Sequence, residues 1–229
     1  MPFHLIVATD QYHQIGYQNN LIYPIPHDLS FFSQVTSGVV NGTETKTVKN
    51  AIVMGHNTWK SLPPMKKPLQ NRFNVVLSHD QMSVDRGEDP DNLVKIGTDF
   101  GKILTGLEQM QSRGELGDIF VIGGSSLYQL ALLDGRLEKI YVTHVNGFDV
   151  TKEDETRRAS VTTFPELHDY LKGMQPVWYS DFYRYQLARG VFKEQSVTYQ
   201  FRVYQNKKED LFSRTLDTMT TQKIFSRKC

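Results

Sequence analysis

The sequence is almost without cysteine. Cys229 is the only one among 229 residues, which excludes a disulfide framework and a thiolate-held metal cluster. Neither sign of charge is in excess: 26 Lys and Arg stand against 25 Asp and Glu, for a net charge of +1. That balance offers no basic surface to nucleic acid or to an acidic membrane. Long apolar runs are missing as well. No window approaches the roughly 18 apolar residues of a membrane helix. The apolar stretch at 5–8 is too short for a signal peptide and follows no basic segment. No segment repeats. The chain is 39% hydrophobic and 22% charged, enough apolar material for a packed core. The expectation is a soluble, cytoplasmic protein, with one domain over 1–205 and a basic tail over 206–229. The even charge is compatible with a monomer.

Short apolar runs at 4–8, 51–54, 74–77, 119–122 and 140–145 alternate with helical patterns. These runs are rich in Val, Ile and Tyr and suit strands in a sheet covered on both faces. Phe100, Ile103, Leu104, Leu107 and Met110 recur at helical spacing after a cap at Thr98 or Asp99. A second helix over 28–35 starts just after Pro26. Strands alternating with helices predict an α/β fold with a mostly parallel sheet. Aromatic, strand-like runs at 177–187 and 198–204 predict an antiparallel edge pair. Polar stretches at 37–49, 80–92 and 146–160 read as loops.

Several constellations can carry chemistry. Val121-Ile122-Gly123-Gly124-Ser125-Ser126-Leu127-Tyr128 reads as a strand end, a tight glycine turn and a helix start. Free N–H groups at such a start suit a pyrophosphate. An ordinary strand–helix turn has the same pattern, and the full G-x-G-x-x-G fingerprint is missing, so a standard Rossmann domain is not supported. The segment around Gly55 repeats the device, with His56 and Thr58 offering a partial charge and a hydroxyl donor. Two such turns in one sheet suit a ligand with several phosphates, and a dinucleotide fits. Asp28 and Phe32 lie four apart on a helix, with Leu29 beside them. One carboxylate in an apolar pocket can grip the amidine-like edge of a flat heterocycle by two hydrogen bonds. An aspartate satisfying the helix dipole is the plain alternative. Arg72, just before the run at 74–77, can hold a carboxylate bidentately or sit on the surface. Thr143 offers a hydroxyl to a buried acid, or is simply a good strand residue.

In this order the segments resemble the dihydrofolate reductase family over about 5–204. The resemblance implies a three-layer mixed sheet of about eight strands flanked by helices. It also implies NADPH-dependent reduction of dihydrofolate to tetrahydrofolate, in support of one-carbon metabolism and thymidylate synthesis, and binding of antifolates such as methotrexate. Asp28 then stands where the family's single acid grips the pterin, Thr143 where a threonine bonds that acid, and Arg72 where an arginine holds the glutamate α-carboxylate. Phe32, Leu29, Leu62 and Leu69 take the places of cleft walls, and Ile6, Val7 and Ile122 of pterin-pocket backbone. Tyr23 follows Ile22 where the family carries Pro-Trp, so it replaces the indole that orders a water near the pterin carbonyl. With Asp28 and Thr143 it completes the expected catalytic set.

For NADPH, Ala8 and Ile15 match residues around the nicotinamide, and residues 16–21, including Gly16 and Asn19, match a mobile loop. Gly55, His56, Asn57 and Thr58 match a phosphate turn. Gly123 and Gly124 match the paired glycines, with Ser125, Ser126, Leu127 and Tyr128 at the pyrophosphate and nicotinamide side. Ser78 and His79 match the receptors of the adenosine 2′-phosphate. His56 and His79 depart from the family's usual residues, as does Val161 before Thr162, Thr163, Phe164 and Pro165. No residue is assigned to a metal. A same-fold NADPH reductase of another heterocycle is a rival reading. A binding module for folate or a nucleotide with little turnover is another.

Overall fold

The computed structural model describes residues 1–40, 43–44, 48–80, 94–147, 159–177, 190–194 and 196–206. The first half holds β1 (Phe3–Asp10), β2 (Gln14–Tyr17), α1 (Pro26–Ser37), β3 (Val39–Val40), β4 (Thr43–Glu44), β5 (Asn50–Gly55), α2 (His56–Ser61) and β6 (Arg72–Leu77). After these come β7 (Val94–Gly97), α3 (Phe100–Ser112), β8 (Ile119–Val121), α4 (Ser125–Leu132) and β9 (Leu137–Asn146). The last described elements are β10 (Val161–Thr163), α5 (Glu166–Lys172), β11 (Gln175–Pro176), β12 (Phe192–Glu194) and β13 (Val197–Gln205).

Local sequence explains the helix ends. Pro26 opens α1, where its missing N–H costs nothing, and Gly38 closes it at φ 70, donating its N–H to the Gln34 carbonyl at 3.0 Å. Asp99 caps α3 by accepting the Lys102 N–H at 2.8 Å. The α3 face that carried the apolar period buries Phe100, Leu104 and Leu107.

Among the described residues the main sheet has nine strands, in the order β11-β13-β9-β1-β8-β5-β6-β7, with β12 pairing β13. Every neighbouring pair from β9 to β7 is parallel. Strand β13 runs antiparallel to β9, and β11 and β12 run antiparallel to β13. This is the expected mostly parallel mixed sheet with an antiparallel C-terminal end. The run at 198–204 falls in β13, which lies between β9 and β11 at that antiparallel edge. Its alternate residues Val197, Tyr199, Phe201 and Val203 are buried, which suits an interior strand. Of the run at 177–187 only Val177 is described, donating its N–H to the Val203 carbonyl. The predicted loop at 37–49 contains the β3–β4 pair. Most of 80–92 and 146–160, and the tail from 207, lie outside the described residues.

Side chains alternate across the strands, so the sheet carries two cores. Leu5 and Val7 pack with α3, α4 and α5 residues such as Leu104, Ala131 and Leu167. Ile6 packs on the other face with Phe31 and Val35 of α1 and Trp59 of α2. Truncating a fully buried residue such as Leu104 or Phe31 to Ala costs about 2–5 kcal/mol.

Candidate active site

Helix α1 puts Asp28, Phe32 and Thr36 on one face, four residues apart. Asp28 is only 8% exposed. Thr143 projects from β9 toward that face and donates its hydroxyl to Asp28 Oδ1 at 2.5 Å. Burial pushes the Asp28 carboxyl up to about 6, and the Thr143 hydrogen bond opposes this with a smaller effect. A ligand edge that carries N–H donors and positive charge would tip this carboxyl to its charged form.

Arg72 is buried beside the same helix. Its Nη1 donates to Thr36 Oγ1 at 2.8 Å, its Nε donates to the Gln70 carbonyl at 2.9 Å, and the guanidinium carbon sits 5.8 Å from the Phe32 ring centre. Burial lowers its pKa to about 10, which leaves it cationic at neutral pH. The remaining N–H groups of the guanidinium can take a carboxylate. Thr36 in turn donates to the Phe32 carbonyl at 2.7 Å. Asn74, fully buried in β6, grips both polar groups of Leu69 at 3.0 Å and donates to the Arg72 carbonyl at 2.9 Å. Leu62, Leu69, Ile6, Ile122 and Phe32 join one apolar cluster on this side of the sheet. Leu29 is partly exposed at 38%. The side chain of Val7 faces the opposite core.

At the carboxyl ends of β5 and β8, where open α/β sheets bind ligands, the two glycine turns meet. The Gly55 N–H donates to the Gly123 carbonyl at 2.7 Å. Gly123 adopts φ +109, and a Cβ there would come within 3.0 Å of the Tyr128 ring. A Cβ on Gly124 would lie 3.5 Å from the Thr58 hydroxyl oxygen. Neither α2 nor α4 has a side-chain N-cap hydrogen bond. The result is a backbone cradle, kept open by missing side chains, with the N–H groups of Ser125 and Ser126 at the start of α4. It fits the pyrophosphate of a dinucleotide such as NADPH, with His56, Asn57 and Thr58 on the facing helix.

The structure sorts the other expected cofactor residues. The Leu127 and Tyr128 N–H groups are spent on the Gly124 carbonyl at 3.0 Å, and both side chains are buried. Tyr128 donates its hydroxyl to the Ile6 carbonyl at 2.8 Å and stacks on Phe164, so it supports the cleft from behind. The Ser125 hydroxyl donates to the Thr163 carbonyl at 2.7 Å, tying α4 to β10. Ser78 is buried and donates to the Asp80 carbonyl at 2.8 Å, while His79 is exposed. Ala8 and Ile15 are half-buried near the end of β1 and in β2.

Residues 16–20 form a tight hairpin. Strand β2 pairs antiparallel with β10, and Tyr17 and Asn20 exchange both backbone hydrogen bonds at 2.9 Å. Gln18 and Asn19 take φ 49 and 60, as a two-residue hairpin turn requires. Asp10 organises the base of this ribbon. Its Oδ1 accepts the Tyr12 and Gln14 N–H groups at 2.9 Å, and its Oδ2 accepts the Tyr23 hydroxyl at 2.9 Å. Tyr23 was expected to order a water near the pterin, but its hydroxyl is directed to Asp10. Asp10 itself escaped the sequence reading. An aspartate ending a strand just before a polar turn was the available signal.

Hydride transfer needs two flat rings held against each other. One side of this cleft offers an apolar wall with a single acid, and the other a phosphate cradle at the strand ends. Together they define a nucleotide-dependent reductase of a flat heterocycle. The model of a family described as dihydrofolate reductase matches residues 2–169. The chain is 26% identical to dihydrofolate reductase of Drosophila melanogaster, covering 89% of this chain and 97% of the relative. It is 28% identical to the Rattus norvegicus enzyme, covering 90% and 98%. The solved Schistosoma mansoni dihydrofolate reductase superposes with a TM-score of 0.69 at 26% identity, covering 90% of this chain and 98% of that one. The chain belongs to the dihydrofolate reductase family, oxidoreductases that use NADPH to reduce dihydrofolate to tetrahydrofolate.

Proposed function

We propose that Asp28 is the group on which turnover by this chain depends, because it is the one buried acid left for a substrate. Two acids are buried among the described residues, Asp10 and Asp28. Asp10 spends its oxygens on Tyr12, Gln14 and Tyr23, whereas Asp28 holds only the Thr143 hydroxyl. Its carboxylate takes the N–H edge of the pterin, and Phe32, Leu62, Leu69 and Ile122 exclude water around the rings. Arg72, braced by Thr36, takes the carboxylate end of the folate. Bound NADPH supplies the hydride. The Ser125 and Ser126 N–H groups, with Thr58, hold its phosphates, and Ser78 and His79 lie toward the adenosine end. Water delivers the proton that completes the reduction, and Asp28 holds the pterin charge in place for it.

Tyr23 acts through Asp10 as a positioning residue at the base of the hairpin. The even charge of the chain is compatible with a monomer, and the proposed location is the cytoplasm. Antifolates with the same N–H edge, methotrexate among them, compete at Asp28. The test is NADPH oxidation on adding dihydrofolate to wild type and to Asp28→Asn. Turnover in wild type that falls at least about a hundredfold in kcat/KM in the variant is the expected result, the size of a lost buried charge pair. Full activity of the variant at pH 7 would remove Asp28 from this role.

A further inference from the structure

The sheet has a second concavity, and the reaction does not use it. A cavity of about 670 Å³ lies over β13, β9 and β1, walled by α5 and by the turn after β1. This volume is in the range of small-molecule sites. Successive residues of a strand point to opposite faces. Thr143 reaches the Asp28 face, and the next residue, His144, lines this cavity. The phosphate cradle lies across β8 and β5, on the far side of β1. The cavity is therefore separate from both halves of the catalytic cleft.

Its lining has two parts. Leu171 and the Tyr204 ring, both half-buried, supply an apolar floor, and Phe164 and Leu167 line it as buried residues. Around them stand His13 from the β1–β2 turn, His168 and Lys172 from α5, and His144 from β9. The His13 and His168 rings meet edge-on, with centres 5.6 Å apart. Lys172 pairs with Asp169 at 2.7 Å, but both side chains are well exposed, so the pair exchanges easily. On β13, Arg202 follows the lining residue Gln200 and donates to its side-chain oxygen at 2.8 Å. His144 is bonded to the Tyr204 hydroxyl at 3.0 Å. The lining acid is Asp10, whose oxygens are spent on Tyr12, Gln14 and Tyr23. Among the described residues, no group of His, Cys, Asp or Glu is placed to hold a metal ion.

We propose that this cavity is an accessory binding site for a small organic anion, a ring-sized apolar body carrying one acidic group. The floor takes the body, and His13, His168 and Lys172 take the acid. His144 adds nothing there, because burial and the neighbouring Arg202 and His168 keep it neutral. Asp169 is the facing acid that competes for Lys172.

The test uses anilinonaphthalene sulfonate, an aromatic body with one sulfonate, titrated against the full chain saturated with NADPH and methotrexate. Saturable one-to-one emission is expected in that complex at pH 6. His168→Ala with Lys172→Ala should weaken binding at pH 6 at least about tenfold and leave dihydrofolate turnover unchanged. Both changes sit on α5, outside the catalytic cleft. Emission abolished by methotrexate and NADPH would place the dye in the cleft and overturn the proposal. Equal affinity in the double variant would overturn it as well.

Discussion

Strand β9 separates two environments one residue apart. On one face Thr143 meets Asp28; on the other His144 meets Tyr204. Burial disfavours charge on both sides and moves the two groups in opposite directions. Asp28 rises to about 6 and His144 falls to about 4. The neighbours make the difference. Asp28 has only a hydroxyl to lean on and gains when a cationic ligand arrives. His144 sits near Arg202 and His168, which hold it neutral. Similar desolvation therefore yields a substrate anchor on one face and a structural group on the other.

The largest effect comes from removing the anchor. Asp28 titrates about two pH units above an ordinary aspartate, which corresponds to about 3 kcal/mol. A raised carboxyl favours the fold below pH 4 and loses that contribution as pH climbs through 6. Asp28→Asn should therefore raise stability at pH 8 by up to about 3 kcal/mol while activity collapses, a stability–function trade read by urea unfolding of the ligand-free protein. Thr143→Val comes next. It removes the one hydrogen bond that pulls the Asp28 pKa down, so the acid limb of the kcat/KM profile should move to higher pH, with about a tenfold loss at neutral pH.

His144→Gln tests the other face. A lowered histidine favours the fold above about pH 6.5 and loses that contribution as pH falls through 4. The variant should flatten the acid side of the stability curve, by up to about 3 kcal/mol at pH 4, and leave turnover at pH 7 unaltered. The smallest effect is expected from Tyr23→Phe, which removes the hydroxyl from Asp10 and should cost about 1 kcal/mol of stability. Turnover should drop only a few-fold. A collapse like that of Asp28→Asn would return Tyr23 to the pterin.

What the sequence made legible was local or periodic. Asp28 and Phe32 stood four apart on a helix. The glycine turns sat at strand ends, and Asp99 preceded a clean apolar period. Interactions between distant segments were hidden. The β2–β10 ribbon joins strands of four and three residues that are far apart in the chain, too short to show a period. Strand β7 and helix α5, at four and seven residues, fell below the same threshold. Tyr23 was placed by its position in a motif, and no spacing could show that Asp10 would claim its hydroxyl. Asn74 looked like an ordinary strand residue, although its amide holds Leu69 and Arg72 in register with the cleft.

The central claim is that burial holds the Asp28 carboxyl above the ordinary aspartate range until a cationic edge arrives. Nuclear magnetic resonance of isotope-labelled aspartate carboxyls, assigned through Asp28→Asn, tests it most directly. The ligand-free protein should show one aspartate with a midpoint near 6, and saturating methotrexate should drive that group to the carboxylate form across pH 5–8. A midpoint in the ordinary aspartate range, unchanged by methotrexate, would contradict the account.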